Sequence, residues 1–400
     1  MTSLDEILSM LGAIIPPLGV ESVVLDQGLG RVLREPVVAS EDQPPFACSA
    51  MDGFAVRLDD QSSEFRTVDF LRAGDWRPRS LALGEAVRIS TGAALPGDGL
   101  QIIMIEDAEI SGDRVRILRR DAVRHVRERG ENARRGDTLL APPRRLSAGA
   151  LALLASLGVP RLSVTRRPRI VHIATGNEIV APGRTPLPGQ IRDSNSTLVR
   201  AFLAARGLPV IQHRAPEDFA TTRALLTDPA QGAPAADLLL ISGGASVGGH
   251  DFTRRLLAEL GCEILVAKVA SRPGKPLIVA RRGVAVAFGL PGNPLAHFVC
   301  LHLFVQAALG TLAGLPGETP FFQEGVLAGA LDNAGAGRET LWPARQSIAG
   351  GAPVLEPLRW SSSGDLTPLA RANALIRVPG GARELARGAR VPFVSTTPPA

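Results

Sequence analysis

Two hydrophobic rhythms divide this chain. From residue 169 to about 312, short uninterrupted apolar runs alternate with stretches whose apolar residues recur every three or four positions. The runs at 170–174, 209–213, 237–241, 264–267, 277–280 and 284–288 predict strands. The stretches at 219–226, 252–260 and 294–309, and the face Leu198, Val199, Phe202 and Leu203 with a cap near Asn195, predict helices. Strands alternating with helices predict a doubly wound, mostly parallel sheet, with ligands at the carboxyl ends of its strands. Before residue 169 the pattern is mixed. β-like runs at 87–90, 101–105 and 114–118 are separated by Gly, Pro and Asp turns, and a helix is expected at 148–157 between Ser147 and Gly158. A helix near the start carries Leu4, Ile7, Leu8 and Leu11 on one face behind a Ser3/Glu6 capping box. From about residue 317 the chain is Gly/Pro-rich with short β-like runs, which predicts a small all-β domain. The fold class is α/β multidomain.

Composition narrows the function. The 400 residues carry a net charge of +5, with no Tyr and only 4% aromatics. Stacking platforms for single-stranded nucleic acid are therefore scarce. The densest basic cluster, Arg124 to Arg135, holds Glu128 and Glu131 within it. The basic balance points to anionic small molecules rather than nucleic acid. Cys48, Cys262 and Cys300 are odd in number and lack CxxC spacing, which predicts a reducing, cytoplasmic setting without disulfides or structural zinc. The six histidines are scattered and read as structural, and no apolar run is expected to span a membrane. Of 44 basic residues only two are lysines, so 44 − 2 = 42 are arginines; Lys268 and Lys275 both flank the Arg272-Pro273-Gly274 turn. A lysine is a compact point charge suited to an oxyanion site, and this clustering marks the segment as functional.

Three strand-to-loop junctions carry the candidate chemistry. The run 237–241 leads into Ser242-Gly243-Gly244-Ala245-Ser246-Val247-Gly248, then Asp251. Glycines there let backbone N–H groups approach a phosphate, with Ser242 and Ser246 as hydroxyl donors. The run 284–288 leads into Leu290-Pro291-Gly292-Asn293-Pro294, a stiff turn with an exposed amide. The run 170–174 leads into Thr175-Gly176-Asn177-Glu178, followed by Asp193-Ser194-Asn195. Glu178 and Asp251, emerging from neighbouring loops beside a phosphate loop, form a candidate Mg²⁺ pair. Asp52 in Ser49–Val56 and Thr91 are weaker candidates when read alone.

Taken together, these motifs resemble the molybdopterin molybdenumtransferase family of MoeA proteins and the gephyrin E domain. The matching segments are SAMDGFAV at 49–56, Thr91-Gly92-Ala93, Gly130-Glu131-Asn132, Thr175–Glu178, Asp193–Asn195, SGGASVG at 242–248, 268–276 and LPGNP at 290–294. The resemblance implies four domains: an elongated N-terminal α+β domain (1–40 with 133–166), an inserted small β domain (41–132), a molybdopterin-binding α/β domain (167–315) and a C-terminal β domain (316–400). It implies a homodimer whose active site is shared between subunits. Adenylylated molybdopterin and molybdate would be the substrates, with AMP released in the presence of Mg²⁺.

In that scheme Ser242, Gly243, Gly244, Ser246 and Gly248 cradle phosphate, and Glu178 and Asp251 hold Mg²⁺ or place water. Lys268, Arg272 and Lys275 neutralise molybdate and the pyrophosphate, and Asp52 and Thr91 reach across the dimer. Asp193, Asn195, Pro291, Gly292, Asn293, Pro294, Arg338 and Ser363 are implied to bind substrate. The chain departs from the family's pattern at Cys48, Asn132, Arg272 and Ala296, which stand where the family has Asn, Asp, Lys and Ser. A second expectation is thus a non-catalytic molybdopterin-binding paralogue serving a partner molybdoenzyme, and a third an adenylyltransferase related through the α/β part alone.

Overall fold

Two strands buried along their whole length, β1 (Ile170–Thr175) and β3 (Leu238–Ser242), frame the α/β part. Continuous apolar runs suit strands covered on both faces. The remaining strands are β2 (Ile211–Ala215), β4 (Glu263–Val266), β5 (Ile278–Arg282) and β6 (Ala285–Leu290). The sheet order is β2-β1-β3-β6-β5-β4. The first four are parallel, with Val171 opposite Ile211, Ile173 opposite Ile241 and Ile241 opposite Gly289. Sequence alternation gives the right sheet but not its last edge, because β5 and β6 form an antiparallel hairpin with Arg282 opposite Ala285. The two-residue Gly283–Val284 connection is too short for a parallel crossover. The computed structural model describes residues 1–232, 235–243, 249–315, 320–332, 337–382 and 384–397, with the side chains at 231 and 249–251 outside the description.

Helices α1 (Leu4–Ile14), α2 (Ser194–Ala204), α3 (Phe219–Thr227), α4 (Gly249–Glu259) and α5 (Pro294–Leu312) cover the sheet. Ile170, Leu238, Leu240, Val286 and Phe288 face a core that takes in Leu4, Ile7 and Leu11 of α1 together with α2 and α5. Val171, Ile173, Leu239 and Ile241 face the opposite core with Leu226, Leu256 and Leu257. The Ser3/Glu6 capping box forms as expected. One expectation is corrected. At 19 residues α5 is apolar and long enough to cross a membrane, yet 94% of its window is buried inside the molecule, so it reads as a core helix. A π-helical turn at Leu301–Val305 interrupts it.

Contacts divide the chain into two units: Met1–Val23, Gln27–Arg34 and Ser163–Ala400 in one, Val24–Asp26 and Glu35–Leu162 in the other. The first also holds a closed β-barrel of Gln323–Leu327, Glu339–Ala349, Ala352–Pro357, Ala374–Val378 and Arg390–Ser395. A two-residue strand from the α/β part, Ser271–Arg272, pairs in parallel with Glu339 and Thr340 of that barrel. The second unit contains a six-stranded sheet built on Gly53–Arg57, Glu85–Ile89 and Leu100–Met104. Its helix Ala148–Ser156 is capped by Ser147, whose hydroxyl accepts from the Ala150 N–H.

A half-buried ion pair anchors the start of β3. Asp237 accepts two hydrogen bonds of 2.7 Å from Arg166 and one of 2.8 Å from the Arg169 N–H. Burial pushes its carboxyl up, but the Arg166 and Arg169 bonds outweigh that and hold it below the usual range. Asp237→Asn is expected to destabilise the protein by about 1–3 kcal/mol, since Arg166 is part-exposed and keeps some hydration. Because the folded carboxyl is the stronger acid, this contribution is complete above its unfolded pKa and is lost as pH falls through the folded one. Urea unfolding between pH 7 and 3 checks this; the gap between wild type and variant should close toward low pH.

Candidate active site

The strand order 2-1-3 places a topological switch point between β1 and β3, where their following loops diverge. A cleft of about 910 Å³ opens there. Its floor is Ala174 from β1 and Ser242 and Gly243 from β3, and one wall is Pro291 to Pro294 after β6. Gly243 has φ +99°, and a Cβ on it would lie 2.1 Å from the Thr175 carbonyl oxygen. The Thr175 hydroxyl in turn donates to the Ser242 carbonyl at 3.2 Å, so the two strand ends are locked together.

Hydrogen bonds tie the remaining walls to this floor. Asn195 donates to the Gly292 carbonyl at 2.7 Å, and Asn293 donates to the Ser363 hydroxyl at 2.8 Å. Leu295 N–H donates to the Ser363 carbonyl at 3.0 Å, which seats the barrel loop on the start of α5. Asp193, rather than Asn195, is the cap of α2. It is buried, and its carboxylate accepts from Ser196 N–H at 2.9 Å and from Arg214 at 3.3 Å. Burial alone would raise its pKa, but these bonds hold it below the usual range, so its charge is already committed to the fold.

The cations stand opposite. Arg272 and Lys275 come from the turn beyond β4, Arg338 from the start of a barrel strand, and Arg192 from the segment before α2; all line the cleft. Arg338 reaches the Ser271 carbonyl at 3.5 Å. The Arg272 guanidinium sits 5.1 Å from the Trp360 ring centre, and Trp360 stacks edge-on against Trp342 at 5.6 Å. A planar guanidinium can lie on an indole in a way a lysine ammonium does not, so Arg272 is accommodated by its own platform. Besides Asp193, two carboxylates line the same cleft, Glu178 and Glu217. Glu178 folds back so tightly over Gly176 that a Cβ there would meet its oxygens at 2.7 and 2.8 Å. Ala296 also lines the cleft.

Glu178, Asp193, Asn195, Ser242, Gly243, Arg272, Lys275, Pro291 to Pro294, Arg338 and Ser363 share the cleft. Lys268 is exposed and lies outside its lining; its carbonyl accepts from the Thr2 N–H at 3.1 Å. Of the two lysines, only Lys275 lines this cleft. Gly244, Ser246 and Gly248 lie outside the described residues, as does the side chain of Asp251, whose backbone is in the first turn of α4. Asp52 and Thr91 lie in the second unit and meet each other: Asp52 accepts from the Thr91 N–H at 2.7 Å and its hydroxyl at 3.0 Å. These two bonds hold the Asp52 carboxyl below its ordinary pKa. Cys48 is buried, and burial pushes its thiol up, as suits a packed rather than reactive cysteine. Glu217, Ser271, Arg192 and Trp360 were not anticipated. Arg192, beside Asp193, and Ser271, within the 268–276 segment, lay in marked motifs, whereas Glu217 and Trp360 are single residues in irregular segments with none.

Fold and cleft define an α/β protein with a strand-end crevice lined by cations. Family models match along nearly the whole chain: the MoeA N-terminal region (domains I and II) at 2–158, a probable molybdopterin-binding domain at 172–311, and the MoeA C-terminal region (domain IV) at 328–395. The chain is 33% identical to the molybdopterin molybdenumtransferase of a Nostoc species over 97% of its own length and 92% of the relative's. It is 30% identical to that of Staphylococcus epidermidis over 94% and 91%. A solved MoeA molybdopterin-biosynthesis protein from Pyrococcus horikoshii superposes with a TM-score of 0.80 at 29% identity, covering 99% of each chain. The chain belongs to the molybdopterin molybdenumtransferase (MoeA) family, and its class is that of a transferase in molybdenum cofactor biosynthesis.

Proposed function

We propose that the cleft binds adenylylated molybdopterin and molybdate, breaks the phosphoanhydride bond with Mg²⁺ present, and releases AMP as molybdenum enters the dithiolene. The observation that carries this is the convergence of Arg192, Arg272, Lys275 and Arg338 with Glu178 and Glu217 around one strand-end cleft. Four cations offset the charge of a pyrophosphate and a molybdate dianion in a site partly shielded from water. The backbone at Ser242 and Gly243 lines the cleft floor, and its amides there are offered to a phosphate oxygen.

The donor set suits Mg²⁺. Among the described residues no group of three His, Cys, Asp or Glu gathers at metal-binding distance. A Mg²⁺ ion held by one or two carboxylates, waters and substrate phosphates needs no such group. Glu178 would hold it, with Glu217 and Asp251 as further carboxylates. When bound, the ion supplies charge neutralisation at the phosphate oxygens. Glu178 also orients water, Arg272 and Arg338 hold the tetrahedral oxyanion, and Lys275 follows the moving charge. All the relatives named above bear names from molybdopterin chemistry, and the two bacterial ones an enzyme's, so catalysis rather than mere pterin storage is the reading taken. The three unpaired cysteines support a cytoplasmic setting.

We further place the active protein as a homodimer in which Asp52 and Thr91 of a second copy complete the site. Mixing subunits tests this. Glu178→Gln and Asp52→Asn proteins should each be inactive in AMP release. Subunit exchange between them should restore about a quarter of wild-type activity, because half the dimers become mixed and each then holds one intact site. No recovery after verified exchange would count against a shared site.

A further inference from the structure

His172 is a fully buried polar residue in the middle of a strand that is apolar up to its terminal Thr175, and sequence reading leaves it as structural. Its ring sits in a directed chain of hydrogen bonds. Gln212 is oriented by two partners: its Oε1 accepts from Arg200 at 2.9 Å, and its Nε2 donates to the Ser196 carbonyl at 2.8 Å. The same Nε2 lies 3.0 Å from His172 Nδ1, so Nδ1 must be the acceptor there. The ring proton then belongs on Nε2, which lies 2.6 Å from the Ser242 hydroxyl. Burial keeps the ring neutral, with the neighbouring His297 and Arg200 acting in the same sense and Asp193 against it; its pKa is about 3. Ser242 Oγ is therefore an acceptor toward His172. Among the described residues no acceptor is placed to take its proton.

We propose that His172, fixed in its Nε2–H form by Gln212, is a positioning residue that turns the Ser242 hydroxyl into a dedicated hydrogen-bond donor to an anionic oxygen in the cleft. Were the tautomer reversed, His172 Nε2 would take the Ser242 proton for itself and present only lone pairs to the cleft, which repel phosphate. The chain thus selects an acceptor ligand at this point by fixing a proton several bonds away. The ligand named below rests on the functional reading given above.

Two measurements test this. In the wild-type protein, ¹⁵N shifts of the His172 ring report which nitrogen carries the proton. The Nε2–H form is expected; an Nδ1–H or doubly protonated ring overturns the proposal, whatever the cleft binds. Next, a double-mutant cycle on molybdopterin affinity uses Ser242→Ala and Gln212→Met, the latter keeping side-chain volume. Each single change is expected to weaken binding about tenfold or somewhat less, the scale of one hydrogen bond to a charged group. The double variant should bind no more weakly than Ser242→Ala, because the relay acts only through that hydroxyl. Additive losses would mean that Gln212 merely supports the fold, and would sink the proposal. Failure of the wild type to bind molybdopterin would overturn the functional reading and the ligand assignment, while the ring ¹⁵N shifts would still decide the direction of the hydrogen bonds.

Discussion

Gly243→Ala is expected to be the most damaging single methyl group that can be added to the cleft floor. The residue sits at φ +99°, which L side chains rarely adopt, and the new Cβ would lie 2.1 Å from a backbone oxygen and 3.1 Å from its carbonyl carbon, both of Thr175. The obstacle is backbone of a fully buried strand and cannot swing aside as a side-chain tip could. Strained backbone costs about 1–3 kcal/mol and overpacking a similar amount, so a loss of about 3 kcal/mol or more is expected. Forcing β1 and β3 apart would also move Ser242. Urea unfolding and molybdopterin titration of the same preparation check both consequences. Wild-type stability would mean that the strand ends are not locked as described.

Glu178→Gln is expected to separate binding from chemistry. The side chain is exposed, so the fold should not depend on its charge. The amide keeps the shape but loses the charge that a divalent ion and a polarised water need. AMP release should fall about 100-fold or more, while molybdopterin affinity changes by less than about threefold. A variant that still turns over near the wild-type rate would remove Glu178 from the chemistry and leave Glu217 or Asp251 as the acting carboxylate.

Much of this site was legible in the chain because buried parallel strands are written as unbroken apolar runs. β1, β3 and β6 each end in a Gly-bearing loop, and the sheet rule then places those loops on one edge. The antiparallel hairpin of β5 and β6 was legible too, since only three residues separate the runs at 277–280 and 284–288, too few for a parallel crossover, but the alternation rule alone passes over it. Trp360, Ser271 and Glu217 were hidden for another reason. Ser271 and Trp360 reach the cleft because Ser271–Arg272 pairs with the barrel strand at Glu339 and because the Ser363 loop caps α5, two tertiary contacts with no local signature, whereas Glu217 comes from the loop after β2. Lys268 is the reverse case. Its nearness to Lys275 in sequence suggested a shared task, but the Val269 N–H to Lys275 carbonyl bond closes the turn with only Lys275 on the cleft side. His172 carries a signal of its own: a histidine in the middle of a buried strand must answer both ring nitrogens, and its partners lead to the cleft.

The most direct measurement is AMP release by the purified protein from adenylylated molybdopterin with Mg²⁺, with and without molybdate. Release that depends on molybdate, and that disappears in Glu178→Gln, is the predicted result. Tight molybdopterin binding with no AMP release in the presence of both ions would contradict the account and leave a cofactor-binding protein in the fold of an enzyme.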